Sequence, residues 1–205
     1  MPGDCVEADV ALEFGGGAPP GVALPWVYEA GCPYFDWLFG DSEAGRGVIA
    51  EWLERPTSEV SVTSMVSASL GGEHVGGFIA MGAADLAARR RADGTALVRA
   101  RLALDKRQLV ERVRASQALF PSPSEDEWYL SKMGLLPEFR GRALGAALVQ
   151  RYLEAGSEHG FARFRLDVSA DNAPALAAYH AAGFEVAAEG VAGGLRYLAM
   201  TRGYG

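Results

Sequence analysis

Cysteine is nearly absent from this sequence: Cys5 and Cys32 are the only two in 205 residues. Two thiols are too few for a disulfide scaffold or a zinc site, and no metal is expected. No apolar run approaches the length of a membrane helix, and the N-terminus lacks a charged-then-apolar leader, so a cytoplasmic protein with no membrane partner is expected. There is no G-x-x-x-x-G-K-[ST] loop and no G-x-G-x-x-G after a first strand, which argues against a nucleotide-binding α/β protein. Positive charge is in deficit, with 19 Lys and Arg against 26 Asp and Glu. That balance argues against nucleic acid as a partner and agrees with a cationic substrate such as an amine, although acidity also serves solubility alone. Neither a repeat nor a linker divides the chain, so residues 1–205 are read as a single domain.

What is present centres on Trp128–Val149, WYLSKMGLLPEFRGRALGAALV. An apolar strand runs over Glu127–Leu136 and must stop pairing at Pro137, which has no N–H. Small and basic residues follow, then an alanine- and leucine-rich helix over Arg140–His159. Strand, small-residue turn and helix together build an anion site. N–H groups at the helix start point outward, and the helix dipole adds positive potential. Arg140 and Arg142 bring mobile charge to the same place. The same layout also serves as a plain αβ connection.

A second stretch, LDVSADNAPALAAYHAAGF over Leu166–Phe184, sets the two in context. Together they resemble the GCN5-related N-acetyltransferase (GNAT) superfamily over about residues 126–200. The second stretch meets the whole pattern L-x-V-x-x-x-N-x-x-A-x-x-x-Y-x-x-x-G-F. The first meets R/Q-x-x-G-x-G/A at Arg140 and Gly145, with Ala143 where glycine is commonest. An alanine there is expected to be tolerated on an already helical backbone. The resemblance implies an α/β (α+β) GNAT fold: a central mixed, mostly antiparallel twisted sheet of about six or seven strands, flanked by helices. It also implies acetyl-CoA as co-substrate. Its diphosphate would be held by Arg140, Gly141, Arg142, Ala143, Leu144, Gly145 and Ala146. Its pantetheine arm would pair with Met133, Gly134 and Leu135, like an added strand. Asn172 would contact the cofactor, and capping the last helix is its alternative role. Tyr179 would protonate the leaving thiolate, and packing is its alternative.

The remaining elements follow from periodicity and punctuation. Ala8–Phe14 is a weak first strand. Trp26, Val27 and Ala30 are spaced for a helix that Pro33 breaks in two. The aromatics Trp26, Tyr28, Tyr34, Phe35, Trp37 and Phe39 are either a core layer or an acceptor wall. Asp41 is an N-cap. Thr57–Leu70 and His74–Met81 form a hairpin about Gly71-Gly72, and Gly76-Gly77 marks a bulge or a close approach. Residues 84–126 form a helical insertion between the third and fourth strands, too long to be slack. Within it, Arg89-Arg90-Arg91 is either a phosphate contact or a solvated helix end. Phe184–Ala188 and Leu195–Arg202 make a terminal hairpin.

No general base follows from the resemblance. Glu127, on the same strand face as Tyr129 and Ser131, is the candidate, with Glu125 and Asp126 in reserve; an exposed strand-end role is the alternative. Nothing ties His74, His159 or His180 to the site. The expected function is transfer of an acetyl group to a primary amine of a small molecule or peptide N-terminus by direct transfer in a ternary complex. A non-catalytic acyl-CoA-binding module stands beside it, and a homodimer is compatible with either. The acceptor is expected beside segments 25–40 and 84–126, drawn by Asp36, Asp41, Glu125, Asp126 and Glu127.

Overall fold

A computed structural model describes residues 12–100, 102 and 104–203. Strand β1 (Glu13–Gly16) is followed by helices α1 (Pro20–Ala30), α2 (Tyr34–Phe39) and α3 (Ser42–Glu54). The hairpin β2 (Met65–Leu70) and β3 (Glu73–Gly82) comes next. Helices α4 (Ala83–Leu97) and α5 (Lys106–Leu119) make up the insertion. Then come β4 (Glu127–Leu135), α6 (Leu144–Glu158), β5 (Arg163–Ser169), α7 (Ala173–Ala181), β6 (Glu185–Ala192) and β7 (Leu195–Gly203). The strands form one sheet in the order β1-β2-β3-β4-β5-β7-β6. Only β4 and β5 are parallel; the other five pairings are antiparallel.

Strand alternation sends neighbouring residues into two cores. Ile79, Met81 and Tyr129 face the layer of α1–α5, where Trp26, Phe35, Phe39, Ile49, Leu53 and Leu86 are buried. Phe78, Ala80, Trp128 and Leu130 face α6 and α7, with Tyr152, Phe164, Leu166 and Phe184. Tyr152 ties this second layer to the sheet centre. Its hydroxyl lies 2.7 Å from the Trp128 carbonyl and 3.2 Å from that of Arg165, one on each parallel strand. The aromatic segment is therefore chiefly core: Trp26, Tyr28, Phe35 and Phe39 are all at most 3% exposed.

Local chemistry sets the element ends. Asp41 caps α3, its carboxylate accepting from Ala44 N at 2.7 Å. The Gly76-Gly77 pair is a close approach. A Cβ on Gly76 would lie 2.2 Å from the Gly134 carbonyl oxygen, and one on Gly77 would lie 2.3 Å from that of Val66. The strand expected over Thr57–Leu70 begins only at Met65. Ser58 and Ser61 hydrogen-bond nearby backbone N–H groups and turn the chain through a 3₁₀ turn at Val62–Ser64. Much of the strand expected at Ala8–Phe14 lies outside the described residues; the strand seen is Glu13–Gly16.

Candidate active site

Strands β4 and β5 pair only from Glu127↔Arg163 to Leu130↔Leu166. Beyond that point β4 continues along β3, and β5 continues along β7. The parting coincides with a bulge in β4: Ile79 pairs with Lys132 and Ala80 with Leu130, leaving Ser131 as the extra residue. Backbone groups of residues 131–135 thus have no ladder partner on the β5 side.

A cavity of about 580 Å³ opens at this parting. Its wall includes Met133, Gly134, Leu135, Arg140, Gly141, Ala143, Leu144, Gly145, Ala146, Asn172 and Tyr179. These are the residues expected to hold an acyl-CoA, and the fold brings them together from β4, the turn before α6, and α7. Helix α6 begins with no side-chain cap. Added Cβ atoms at Gly141 and Gly145 would meet nothing within 4 Å, so the first turn faces open space. An uncapped helix start beside unpaired strand backbone fits a diphosphate joined to an extended amide-bearing arm.

Asn172 caps α7 by accepting from Ala175 N at 3.2 Å, and it also lines the cavity, so capping does not take it away from the cavity wall. Ala175 and Tyr179, four residues apart, face the same cavity. Gly183 has φ 83°, the left-handed value that ends a helix, and it delivers Phe184 into the core. Phe184 meets the Tyr179 ring edge-on at 5.9 Å. Burial pushes the Tyr179 phenol up to about 12, so it is protonated at neutral pH.

Three expectations are corrected here. Ala143 is not on helical backbone: its φ is 60° and ψ 3°, a left-handed position held without glycine. Such a conformation costs a residue with a Cβ about 1–2 kcal/mol. Arg140 is not loose either. It donates to the Leu135 carbonyl through Nε and Nη2 and pairs with Glu29 at 2.6 Å. That ion pair is roughly half exposed and contributes under about 1 kcal/mol, so an incoming phosphate can take the guanidinium over. Arg142 does not line the cavity; it lies over the Phe139 ring.

Glu127 is not at an exposed strand end. It is 3% exposed, accepts from Ser124 N at 2.7 Å, lies 3.7 Å from Arg163, and lines neither large cavity. The other acids expected near the acceptor are absent from both walls as well. Asp36 accepts from Tyr28, Asp41 caps α3, and Asp126 pairs with Arg163.

A second cavity, of about 680 Å³, lies on the α1–α5 side of the same strand. Tyr129, Ser131 and Lys132 line it, Met133–Leu135 line the first, and Ala30 borders both. Its other walls come from α2, α4, α5, the loop at Phe120–Ser122, and Tyr197. Its polar side is a buried network. Arg90 meets both oxygens of Glu59, at 3.0 and 3.3 Å, and Ser131 donates to Glu59 at 2.7 Å. Arg90 also donates to the Tyr129 hydroxyl, which donates to Asp167 at 2.9 Å. Burial alone would raise Glu59, but Arg90, Lys132 and Ser131 outweigh it and hold Glu59 near 2. Burial keeps Asp167 above the usual carboxylate range, against the pull of Arg165 and Tyr129.

The basic triplet is thus part of the fold. Arg90 is the hub of this network, Arg89 donates to the carbonyls of Pro56 and Ser58, and Arg91 alone of the three is exposed. Sequence reasoning passed over Glu59, Lys132 and Asp167. Asp167 had a legible signal, a carboxylate between two core residues of one strand; Glu59 sits in a turn and had none.

The acetyltransferase (GNAT) family profile matches residues 27–184. Mycothiol acetyltransferase of Corynebacterium glutamicum (strain R) is 46% identical over 66 residues, which is 32% of this chain and 22% of that relative. The chain therefore spans about a fifth of the relative, and what the relative acts on is not carried over. An N-acetyltransferase from Staphylococcus aureus Mu50 superposes with TM-score 0.67 at 14% identity, covering 93% of this chain and all of that one. The PaiA N-acetyltransferase of Thermoplasma acidophilum, solved in complex with coenzyme A, gives 0.53 at 13% identity, covering 95% and 99%. At these identities the likeness is one of fold. Among the described residues, no helix is long and apolar enough to cross a membrane, and no cluster of metal-ligating side chains is found.

Proposed function

The chain belongs to the GNAT acetyltransferase family, and on that premise we propose that it moves an acetyl group from acetyl-CoA to a primary amine by direct transfer in a ternary complex. One observation supports the reading: two cavities border β4 where it parts from β5, one lined by the uncapped start of α6 and free strand backbone and one lined by a polar network, with Ala30 on both walls. Acetyl-CoA supplies the acetyl group as a thioester, so a carbon–nitrogen bond forms as the carbon–sulfur bond breaks and sulfur leaves needing a proton.

The side chains divide the work. N–H groups of Gly141–Ala146 and the Arg140 guanidinium hold the diphosphate. Backbone of Met133–Leu135 holds the arm, and an N–H there polarises the carbonyl. Tyr179 is the acid. The base is Asp167, acting through Tyr129: the phenol accepts a proton from the incoming ammonium as it passes its own to the carboxylate. Transfer to an ammonium releases one proton overall, and Asp167 is where it first rests. Glu127, bonded to Ser124 and near Arg163, is assigned to holding the strand start. A cytoplasmic setting belongs to the same reading, as does the absence of nucleic acid from the reaction.

Calorimetric titration with acetyl-CoA, paired with a free-thiol assay over a panel of amines, tests this. Binding with thiol release on amine addition is expected. Binding without release from any amine would favour the non-catalytic module, and no binding would remove the reading.

A further inference from the structure

The charges around the second cavity do not balance. In the network of ion pairs that backs the wall, solvent-exposed Arg91 left aside, four cations, Arg55, Arg90, Lys132 and Arg165, stand with three carboxylates, Glu59, Asp93 and Asp167. Each arginine has its own partner: Arg55–Asp93 at 2.5 Å, Arg90–Glu59 at 3.0 Å and Arg165–Asp167 at 3.0 Å. Lys132 does not. Its nearest carboxylate is Glu59 at 3.9 Å, already held by Arg90 and Ser131. An ammonium has three donors. Here one reaches the Ser131 carbonyl at 3.0 Å and another only a 3.4 Å contact with the Ser131 hydroxyl. The side chain is 13% exposed, lies 5.3 Å from the Phe35 ring centre, and lines the cavity. Burial pushes the Lys132 ammonium below its ordinary range against the pull of Glu59, so an anion placed beside it would hold the charge that burial disfavours.

The cavity is also shut on the side of the β6–β7 hairpin. Phe120 packs edge-on against Tyr34 at 4.8 Å and Tyr197 at 4.9 Å, and Tyr34 N donates to the Tyr197 hydroxyl. Beyond that seam, Trp37 sits against Gly193 in the hairpin turn, where a Cβ would come within 2.2 Å of its indole. Arg112 from the insertion donates to the Trp37 carbonyl and holds α2 in place. These contacts close one route by which an extended chain could enter.

Resting on the transferase reading above, we propose that the acceptor is a free small molecule carrying a carboxylate beside its amine on an apolar body, and that Lys132 receives the carboxylate. The excess is one unit of charge, which a carboxylate matches and a phosphate dianion overshoots. Arg91, also on the wall, is exposed and needs no partner beyond water. The amine falls to Tyr129 and Asp167 at the parting of the strands. Phe35, Leu38, Trp52, Leu97, Val113 and Phe120 leave apolar room for the body, and about 680 Å³ is the volume of a small-molecule site.

The experiment uses the full chain and matched acceptors: phenylalanine with phenethylamine, tryptophan with tryptamine, leucine with isoamylamine, and the tripeptide Phe-Gly-Gly. Acetyl-CoA binding is measured separately by calorimetry. We expect at least one amino acid to exceed its decarboxylated partner by tenfold or more in kcat/KM, and the tripeptide to fall at least tenfold below phenylalanine. Lys132→Met should bring the acid-to-amine ratio to about one, through KM, with acetyl-CoA affinity retained. Lys132→Arg, which keeps the charge, should hold a ratio above that of the Met variant. Decarboxylated amines or the tripeptide serving as well as the acids would overturn the proposal, as would a ratio unmoved in the Met variant. Bound acetyl-CoA with no acceptor turned over would overturn it too. Loss of acetyl-CoA binding by the unaltered chain would instead sink the transferase reading beneath it.

Discussion

Replacing Gly145 with glutamate should make the free protein more stable and blind to its co-substrate. The residue is the second of α6, whose N-terminus has no side-chain cap. An added Cβ meets nothing within 4 Å, so the fold has room for the new side chain. Glycine costs a helix about 0.5 kcal/mol relative to glutamate, and an acidic group in the first turn gains about 0.3–1 kcal/mol from the dipole. Together these give about 1 kcal/mol, or roughly 2–4 °C in Tm for a chain of this length. Ligand at a hundred times its Kd stabilises the unaltered protein by about 2.7 kcal/mol, a shift of roughly 5–10 °C. In Gly145→Glu the carboxylate occupies the diphosphate position with like charge. A hundredfold loss in affinity would leave about 0.4 kcal/mol at the same concentration, near 1 °C. Thermal melts of both proteins, with and without acetyl-CoA, read all four numbers. A variant that keeps the full ligand shift would refute the placement of the diphosphate at this helix start. A variant that melts lower without ligand would refute the claim that the turn is open.

The other predictions concern the polar groups. Tyr179→Phe should lower kcat by about ten- to a thousandfold with acetyl-CoA affinity little changed, read from single-turnover rates and calorimetry. Asp167→Asn should lower kcat by about 10²–10⁴-fold and abolish the acid limb of the kcat/KM profile. In the unaltered enzyme that limb lies above the ordinary aspartate range, because burial raises this group and activity falls as it is protonated. Glu59 gives a stability prediction with the opposite sense. Its folded value near 2 lies below the ordinary glutamate value of 4.5, so its contribution is complete above about pH 4.5 and is lost as pH falls towards 2. The shift corresponds to about 3 kcal/mol, so urea melts between pH 5 and 2 should fall less steeply for Glu59→Gln by roughly that amount. Parallel pH dependence in the two proteins would refute the ion network as a source of stability.

The cofactor half of the site was legible because its chemistry is local in sequence. Asn172, Ala175, Tyr179, Gly183 and Phe184 each answer to a neighbour within a turn or two: a cap, a cavity-facing pair, a helix stop and a core anchor. Spacing alone carries such information. Ala143 shows the limit of that legibility. The motif gave the position but not the dihedral: Ala143 stands at the start of α6 with φ 60°, a left-handed value that spacing does not encode.

The acceptor half was illegible for a different reason. Glu59, Arg90, Lys132 and Asp167 come from a turn, the insertion and two strands, and no pair of them is closer in sequence than 31 residues. Polar residues in those places read as surface until the sheet and α4 enclose them. What converts them into a site is the parting of β4 from β5: the bulge at Ser131 puts its hydroxyl on Glu59, and Lys132 follows it onto the same cavity. The insertion then supplies Arg90 as the cation that keeps Glu59 ionised. Remove α4 and Glu59 would lose its main counter-charge, Tyr129 its hydrogen-bond donor, and the cavity one wall. The segment that departs most from the family pattern is therefore bound into β4 through Arg90, and in the proposed reading acceptor choice and fold stability would draw on the same polar network.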